Sequence, residues 1–431
     1  MKRTTLQRLI TCAAALVLGT SLCAGQTDST RHFSANAMIW TRGEIRDGAL
    51  PADNGADYAA FLMGNSIVKL DYTSPWLAVR FAPKYIGVWG ASTTGALSID
   101  EAWLTLQRKG FFARMGRQRL SYDDQRIIGA DDWAMAPKTH DAVKLGYESR
   151  VHKVHLLLAF NQNNENLNGG TRYVNGGQAY KTMQMLWYHV DPLKWLGASV
   201  IGMNMGMQSL LRGEDKTRYQ QLFGTFLDLH PASFNLQASY YRQTGETEYS
   251  LPIHAWIASV EAKWKATSRL NLTGGYFHMS GDPGMFVPVP GAIGMTLKTE
   301  VRGFNPMFGS HHKFYGAMDF FYVTTYYGGN TPGLQDLHIG AKWSPVKQLI
   351  LEGAIHYLAT SVLVSDTDTK ALGHEYEGTL SWKLAPDVTL QAGFSLMNGT
   401  ETMTRLKRTS DQNQLRWAWL MVIVTPEFFK I

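Results

Sequence analysis

The stretch "AWIASVEAKWK" (255–265) alternates apolar and polar side chains with a period of two. Trp256, Val260 and Trp264 fall on one face, whereas Glu261 and Lys263 fall on the other. This period is typical of a half-buried β-strand. The eight-residue separation of the two tryptophans corresponds to about 26 Å along a strand. At a tilt near 40° it projects to about 20 Å, close to the apolar band of an outer-membrane barrel with its two aromatic girdles.

The same alternation recurs along the chain, in strands of roughly ten to thirteen residues, where strands of soluble proteins usually run about five or six. Short turns such as "DPLK" (191–194) alternate with long polar stretches such as "NQNNENLNGGTRYVNGG" (161–177). A bilayer admits strands in a closed barrel, where no backbone edge is left unpaired. The pattern predicts an all-β, membrane-spanning antiparallel β-barrel of about 18 strands. The alternative count is 20, if 293–302 and 311–323 both span.

The first 25 residues have the pattern of a signal peptide. Lys2, Arg3 and Arg8 precede an apolar core at 9–19, and small residues follow. An apolar core of this length is too short to cross a bilayer as a helix. We therefore expect residues 1–25 to be a signal peptide and residues 26–431 to be an outer-membrane β-barrel with a long external loop at 281–332. The predicted location is the outer membrane of a Gram-negative cell.

Composition argues against several classes of function. The chain has 431 residues, with 41 Lys and Arg against 35 Asp and Glu, and its formal charge falls from +6 to 38 − 35 = +3 without residues 1–25. That charge is too small to indicate nucleic-acid binding. Both cysteines, Cys12 and Cys23, lie in the signal segment. No G-x-S-x-G motif is present, and we predict no enzyme and no cofactor. His311 and His312 could bind a metal with Asp319 or His338, but adjacent histidines in a loop are more often not ligands, so no metal site is predicted.

Charges opposite an apolar strand face should point into the lumen, because a charge facing lipid costs about 2–4 kcal/mol at the midplane. Strand parity assigns the following side chains to the lumen: Arg80, Lys84, Arg114, Lys144, Lys153, Lys263, Lys342, Lys383 and Arg416, with the acids Glu101, Glu148, Glu261, Asp336, Glu352 and Glu377. Arg117 has the opposite parity to Arg114, and a bulge near Gly116 would turn it inward. Such charges could select anions. They could equally pair with one another and hold the shape of the barrel.

Two blocks of sequence resemble the alginate-export family of outer-membrane barrels. They are "GRQRLSYDDQRIIGADDW" (116–133) with "THDAVKLGYE" (139–148), and "FNPMFGSHHKFYGAMDFFYV" (304–323) with "GLQDLHIGAKW" (333–343). The resemblance implies an 18-stranded barrel whose electropositive lumen passes an anionic polysaccharide outward. It implies pathway roles for Arg117, Arg126 and Lys144, and for Asp141 in orienting a neighbouring arginine.

The resulting hypothesis is a channel, embedded in outer-membrane lipid, for anionic solutes or an alginate-like polysaccharide. The expected pore-lining residues are Arg80, Lys84, Arg114, Arg117, Arg126, Asp141 and Lys144. A general small-solute porin and a plugged structural or adhesive barrel are the alternatives. We expect a monomer that binds no nucleic acid, and a possible partner is periplasmic export machinery.

Overall fold

A computed structural model gives the structure of the chain. It describes residues 31–48, 58–91, 95–130, 133–134, 138–165, 167, 169–174, 176–282, 299–321, 331–364, 367–407 and 414–431. The predicted signal peptide at 1–25 lies outside the described residues. No helix in this part of the chain combines the length and apolar character needed to cross a membrane.

The described residues form long strands and one short helix. The strands are β1 His32–Asp47, β2 Ala59–Thr73, β3 Leu77–Val88, β4 Ala96–Arg108, β5 Phe111–Gln118, β6 His140–Glu148, β7 His152–Phe160, β8 Thr182–Leu193, β9 Leu196–Gln208, β10 Thr217–Leu229, β11 Phe234–Gly245, β12 Ala255–Lys265, β13 Leu270–Met279, β14 Leu334–Val346, β15 Leu349–Ala359, β16 Ala371–Ala385, β17 Val388–Gly399, β18 Gln414–Val424 and β19 Glu427–Lys430. Helix α1 is Glu401–Lys407, and a single 3-10 turn covers His311–Lys313.

The strands close into a barrel. From β1 to β18, each strand pairs antiparallel with its neighbour in sequence, and β1 pairs with β18 over Ile39–Asp47. The four-residue β19 continues beyond β18 and pairs with the beginning of β1, next to the β1–β2 pair. The predicted count of 18 spanning strands is therefore confirmed. In the alternative of 20, a strand would cover 311–323, yet the described part of that range holds the 3-10 turn and irregular backbone.

Connections differ sharply between the two ends of the barrel. Eight turns of two to four residues join the strands at one end, which we call the turn end. At the other, the loop end, nine connections run from seven residues to the 54 residues of 280–333. Both termini of the barrel lie at the turn end, as an even number of strands requires. Outer-membrane barrels place short turns in the periplasm and long loops outside.

Alternating side chains face outward and inward, as the sequence predicts for most strands. Trp256, Val260 and Trp264 of β12 are exposed on the outer face, and Phe394 of β17 is 51% exposed. Glu261 and Lys263 take the opposite face of β12, beside Lys313 of the β13–β14 connection. Exposed apolar side chains suit contact with lipid, and the polar face is removed from it.

The interior of the barrel holds a hydrophobic core. Inward-facing side chains such as Leu222, Tyr241 and Phe277 are buried together with Ile128 and Phe320, which belong to connections at the loop end. Two of these connections therefore fold back into the barrel. We call residues 119–130 and 299–321 the plug. The second segment belongs to the range 281–332, which was expected to form an external loop. Its residues 304–321 are largely buried inside the barrel.

Candidate functional site in the barrel lumen

Both predicted lumenal bases on β3, Arg80 and Lys84, are paired with acids. Arg80 donates to Asp71 at 2.7 Å and to Glu101 at 2.9 Å, which joins β2, β3 and β4. Lys84 lies 3.1 Å from Asp100. Asp100 sits at an irregularity in the β3–β4 register, so that it and Glu101 both reach inward. These pairs form a ladder on the wall, which was the alternative interpretation of the lumenal charges.

Arg114 and Lys144 form a different arrangement. They occupy directly opposed positions on β5 and β6, and both are partly exposed on the lumenal face. Arg114 donates to the Thr105 hydroxyl at 2.8 Å, and its guanidinium lies 3.9 Å from the Trp103 ring centroid. Lys144 lies 5.4 Å from the Phe112 ring centroid. Among the described residues, neither base has a carboxylate within ion-pair distance. Two like charges thus lie side by side, an arrangement that costs stability in a sheet.

Arg117 and Asp141 lie on the outer face, which corrects the expectation that they line the pore. The β5–β6 register runs without a shift from Phe111 to Gln118, so no bulge at Gly116 reverses the parity of the strand. Arg117 therefore shares the face of the exposed Met115. It donates to both oxygens of Asp141 at 2.8 Å. The pair sits at the loop end of the barrel, where a charge near the lipid interface costs about 0–1 kcal/mol.

Arg416 is also placed opposite to its expected side. Leu415, Trp417 and Met421 of β18 are buried on the inner face, so Arg416 points outward beside Asp47 of β1. Both faces of β18 carry apolar residues, because the inner face packs against Trp133, whose ring centroid lies 5.8 Å from that of Trp417. Alternation in the sequence separates the two faces and leaves open which of them is lumenal.

The remaining predicted lumenal charges lie mainly toward the turn end, and many of them are paired. Lys153 lies 3.4 Å from Asp191, Lys263 lies 2.7 Å from Glu261, and Lys342 contacts Glu352. The His155 ring lies 2.8 Å from Glu148. Lys383 is exposed near the end of β16. A surplus of bases over acids is thus confined to a few positions, of which Arg114 and Lys144 are adjacent.

The first plug segment carries Arg126, which is buried within the barrel. Its guanidinium lies 3.9 Å from the ring centroid of Phe314 and 5.0 Å from that of Phe277. Asp124 lies 3.4 Å away and accepts a hydrogen bond from the hydroxyl of Tyr241 on β11. Arg126 therefore joins the two plug segments to the wall. The pore-lining prediction placed Arg126 on an open lumenal surface, and the structure instead buries this side chain.

The second plug segment reaches across the lumen. Phe308 packs at 5.1 Å from the ring of His140 on β6, and the Met318 N–H donates to Glu375 on β16 at 2.8 Å. These two strands are eight positions apart around an 18-stranded barrel, so they lie almost opposite each other. Ala317 N–H donates to Glu377 at 2.9 Å. The segment is thereby held on both sides of the lumen.

The two plug segments are joined by backbone pairing. Ile128 and Phe308 form a parallel bridge, and the Phe308 N–H donates to the Ile127 carbonyl at 3.0 Å. Gly309 permits this close approach, because a Cβ at that position would lie 2.2 Å from the Arg126 carbonyl oxygen. The plug is therefore one folded unit with a backbone register of its own.

Burial favours the uncharged forms of titratable groups in the plug. Burial lowers the pKa of His311 to about 3, so this side chain is neutral at pH 7. Burial raises the pKa of Asp123, whose carboxylate accepts a hydrogen bond from the Trp187 indole at 2.9 Å. Burial also raises the pKa of Tyr315 to about 12. The plug surface near β10–β12 lines a cavity of about 180 Å³ together with Glu261 and Lys263, and Lys313 supplies a further base there.

A cluster of histidines lies on the wall beside the plug. Asp336, His338 and His356 each place one potential ligand atom within 4.8 Å of the others. The histidines singled out in the sequence are arranged differently: His312 lies 2.9 Å from Asp319 and stacks on Trp133 at 4.1 Å, and His311 lies beside Lys138. Of the predicted partners, Asp319 thus meets His312, and His338 belongs to the wall cluster. That cluster depends on the β14–β15 register, which the sequence does not specify.

The sequence of the chain matches the model of a known protein family. Residues 93–398 match the family described as alginate export, which is more than half of the chain. The chain belongs to the alginate export family. A comparison with curated proteins found no match. The matched range includes the plug and both blocks on which the resemblance rested, and the predicted family is confirmed.

Solved structures share the fold of this family member. OpdL of Pseudomonas aeruginosa has a TM-score of 0.62 at 10% identity, covering 92% of this chain and 99% of that one. OccAB1 of Acinetobacter baumannii has a TM-score of 0.62 at 12% identity, covering 92% and 97%. The outer membrane protein OpdK of Pseudomonas aeruginosa has a TM-score of 0.62 at 8% identity, covering 92% and 99%. The chain is an outer-membrane β-barrel with the fold of these proteins, and its predicted location is confirmed.

Proposed function

We propose that this barrel is a channel for anionic solutes, and that Arg114 and Lys144 bind them on the way through the lumen. The observation that carries the proposal is the opposition of these two bases on β5 and β6 without a carboxylate partner among the described residues. Neighbouring like charges are unfavourable in an empty lumen and become favourable when an anion lies between them. The other bases near them, Arg80 and Lys84, are neutralised by acids.

The solute class includes an acidic polysaccharide of the alginate kind. Membership of the alginate export family supports this choice. Guanidinium groups bind carboxylates through two parallel hydrogen bonds, and an ammonium binds them as a point charge. A polymer with a carboxylate on each sugar could exchange one contact for the next, provided that no single site holds it tightly. The direction of movement that the family description implies is outward.

Passage of a polymer requires the plug to move. Residues 299–321 contact strands on nearly opposite sides of the lumen, so a chain of sugars cannot pass while both sets of contacts persist. We propose that the plug is a gate whose release opens the lumen. A partner in the periplasm, as part of export machinery, is a source of such release. We further propose that the channel is a monomer, because closure of β1 on β18 leaves no strand edge open to another copy.

Two alternatives have support of their own. The paired charges on β2–β4, β7–β8 and β14–β15 favour a general porin without strong ion preference. The contacts of the plug on both sides of the lumen favour a structural barrel that does not conduct. Conductance and ion selectivity separate these three functions.

The test is the reversal potential of the purified protein in a planar bilayer under a KCl gradient, with and without added alginate. We expect anion selectivity and a current that alginate reduces. Arg114→Glu combined with Lys144→Glu should shift the reversal potential toward cation selectivity. Arg117→Glu is the matched control, because Arg117 lies on the outer face and should leave selectivity unchanged.

The other outcomes are equally informative. Cation selectivity of the native protein, or equal selectivity of the native protein and the Arg114→Glu/Lys144→Glu variant, would contradict the proposed anion path and favour a general porin. Absence of current, in protein shown to be folded by its faster mobility in unheated gels, would contradict the expected current and show that the plug closes the isolated barrel, as a closed gate and a structural barrel both require.

A further inference from the structure

The lumenal wall carries a group of side chains that anion transport does not use. Asp336 and His338 are two residues apart on β14 and therefore share its inner face. His356 of β15 is the register partner of His338. Asp336 and His356 are buried, and the side chain of His338 is 13% exposed.

We propose that Asp336, His338 and His356 form a binding site for a divalent transition-metal ion such as Zn²⁺. Asp336 Oδ1 lies 2.9 Å from His356 Nδ1, and its Oδ2 lies 3.4 Å from His338 Nδ1. Ligand atoms bonded at 2.0–2.1 Å around a tetrahedral zinc are about 3.3 Å apart. The two separations from Asp336 lie on either side of that distance, and one ligand atom from each of the three residues lies within 4.8 Å of the others.

The outer carboxylates support the proposal. His338 Nε2 lies 3.6 Å from Glu261 on β12, and His356 Nε2 lies 3.4 Å from Glu377 on β16. Metal-binding histidines usually direct their second ring nitrogen to a carboxylate, which fixes the ring and makes the ligand nitrogen more basic. Both histidines thus have their Nδ1 toward Asp336 and their Nε2 toward an outer acid.

The backbone leaves room for this arrangement. Gly275 of β13 lies between Glu261 and His338 in the sheet register. A Cβ at Gly275 would lie 2.7 Å from both Cε1 and Nε2 of His338. Any other residue would therefore displace the His338 ring from Glu261. In addition, His338 Nδ1 is buried and makes no hydrogen bond within the described part of the chain.

The donor set decides the class of ion. Two imidazoles and one carboxylate favour Zn²⁺, Cu²⁺, Ni²⁺ or Fe²⁺ over Ca²⁺ and Mg²⁺, which prefer sites made of oxygen atoms. Three protein ligands leave at least one coordination position for water or for a group in the lumen. Binding requires both histidines to release a proton from the ligand nitrogen, so affinity should fall in acid.

The experiment measures metal binding by the whole chain without a polyhistidine tag. Purified protein in detergent is stripped with chelator and dialysed against micromolar ZnCl₂, and bound zinc is measured by atomic emission. We expect one zinc per chain. Combined His338→Ala and His356→Ala changes should abolish it, and Glu261→Gln should weaken it by about 10-fold or more. The Co²⁺ form of the native protein should show visible absorption bands of an ion with nitrogen ligands.

The control removes two other lumenal histidines, His155 and His189, which bind Glu148 and Asp191. The His155→Ala/His189→Ala variant should retain one zinc. The proposal is wrong if the native protein binds no zinc under these conditions, or if the His338→Ala/His356→Ala variant binds as much as the native protein. Folding of every variant is checked by gel mobility before and after heating. Zinc binding is measured without any channel activity, so its outcome is independent of the proposed transport function.

Discussion

Single residues show how context decides the role of a charge. Arg114 and Arg117 are three positions apart on one strand, yet the first faces the lumen and the second faces outward. Arg126 follows within the same stretch of sequence and is buried between aromatic rings. These three arginines were indistinguishable by residue type. Strand register decides which side of the barrel Arg114 and Arg117 face, and the fold of the plug decides the burial of Arg126.

Lys407 provides a prediction at this scale. This lysine ends α1 and lies 5.0 Å from the ring centroid of Phe320 in the plug. Burial lowers its pKa to about 7. In the unfolded chain it keeps its proton until about pH 10.4. The folded state therefore binds fewer protons between these values, and the free energy of unfolding should rise with pH by up to about 1.4 kcal/mol per unit there.

Urea titrations of the protein in detergent at several pH values measure this slope. Lys407→Met should be more stable than the native protein at pH 7 and should lose this part of the pH dependence above pH 7. Lys216→Met is the control, because Lys216 is exposed and should change neither quantity. An unchanged slope in Lys407→Met would show that another group produces it.

At the scale of elements, the strands were predictable and the plug was not. Period-two alternation and short turns are local properties, and they specified 18 strands and most inward-facing positions. The plug has no such period, since its residues are buried by contacts with β6, β11, β13 and β16 that the local sequence does not specify. The same holds for the cluster of Asp336, His338 and His356, which exists through the pairing of two strands. On β18 the alternation of the two faces was correctly predicted, but the face that carries Arg416 was wrongly assigned to the lumen. An apolar inner face is favourable there because it packs against the interior of the barrel.

The plug itself yields the prediction for this scale. Replacing residues 304–318 with a short Gly-Ser linker removes Phe308 and the backbone donors to Glu375 and Glu377. Single-channel conductance in KCl should then increase several-fold, because the segment that crosses the lumen is gone. The matched control replaces the exposed residues 211–213 of the β9–β10 connection and should leave conductance unchanged. Equal conductance of the plug variant and the native protein would mean that ions pass beside the plug.

At the scale of the whole molecule, stability depends on closure. The β1–β18 pair joins the first and last spanning strands of the barrel, and β19 extends this junction. Phe33 and Ile431 exchange backbone hydrogen bonds at 2.8 and 2.9 Å, and the rings of Phe33 and Phe429 lie 5.5 Å apart. Closure requires strands that are far apart in sequence, and such pairings form slowly.

Removal of residues 427–431 should therefore reduce the fraction of chains that fold. The remaining 18 strands can still form a barrel, but the beginning of β1 would lose its partner on one side. The folded fraction after dilution from urea into detergent, read from gel mobility without heating, should fall at least twofold. Glu427→Ala with Lys430→Ala keeps the backbone pairing and should fold like the native protein. A folded fraction unaffected by the truncation would show that β1–β18 pairing is sufficient for closure.

The inward course of residues 299–321 also affects what the cell presents to its surroundings. An outer-membrane protein meets antibodies, bacteriophages and proteases through the connections at its loop end. Phe308, Tyr315 and Phe320 belong to such a connection, yet the barrel wall covers them. An epitope inserted in this segment would be hidden on intact cells, whereas one inserted at 211–213 would be accessible. The length of a connection in this sequence is therefore a poor guide to its antigenic surface.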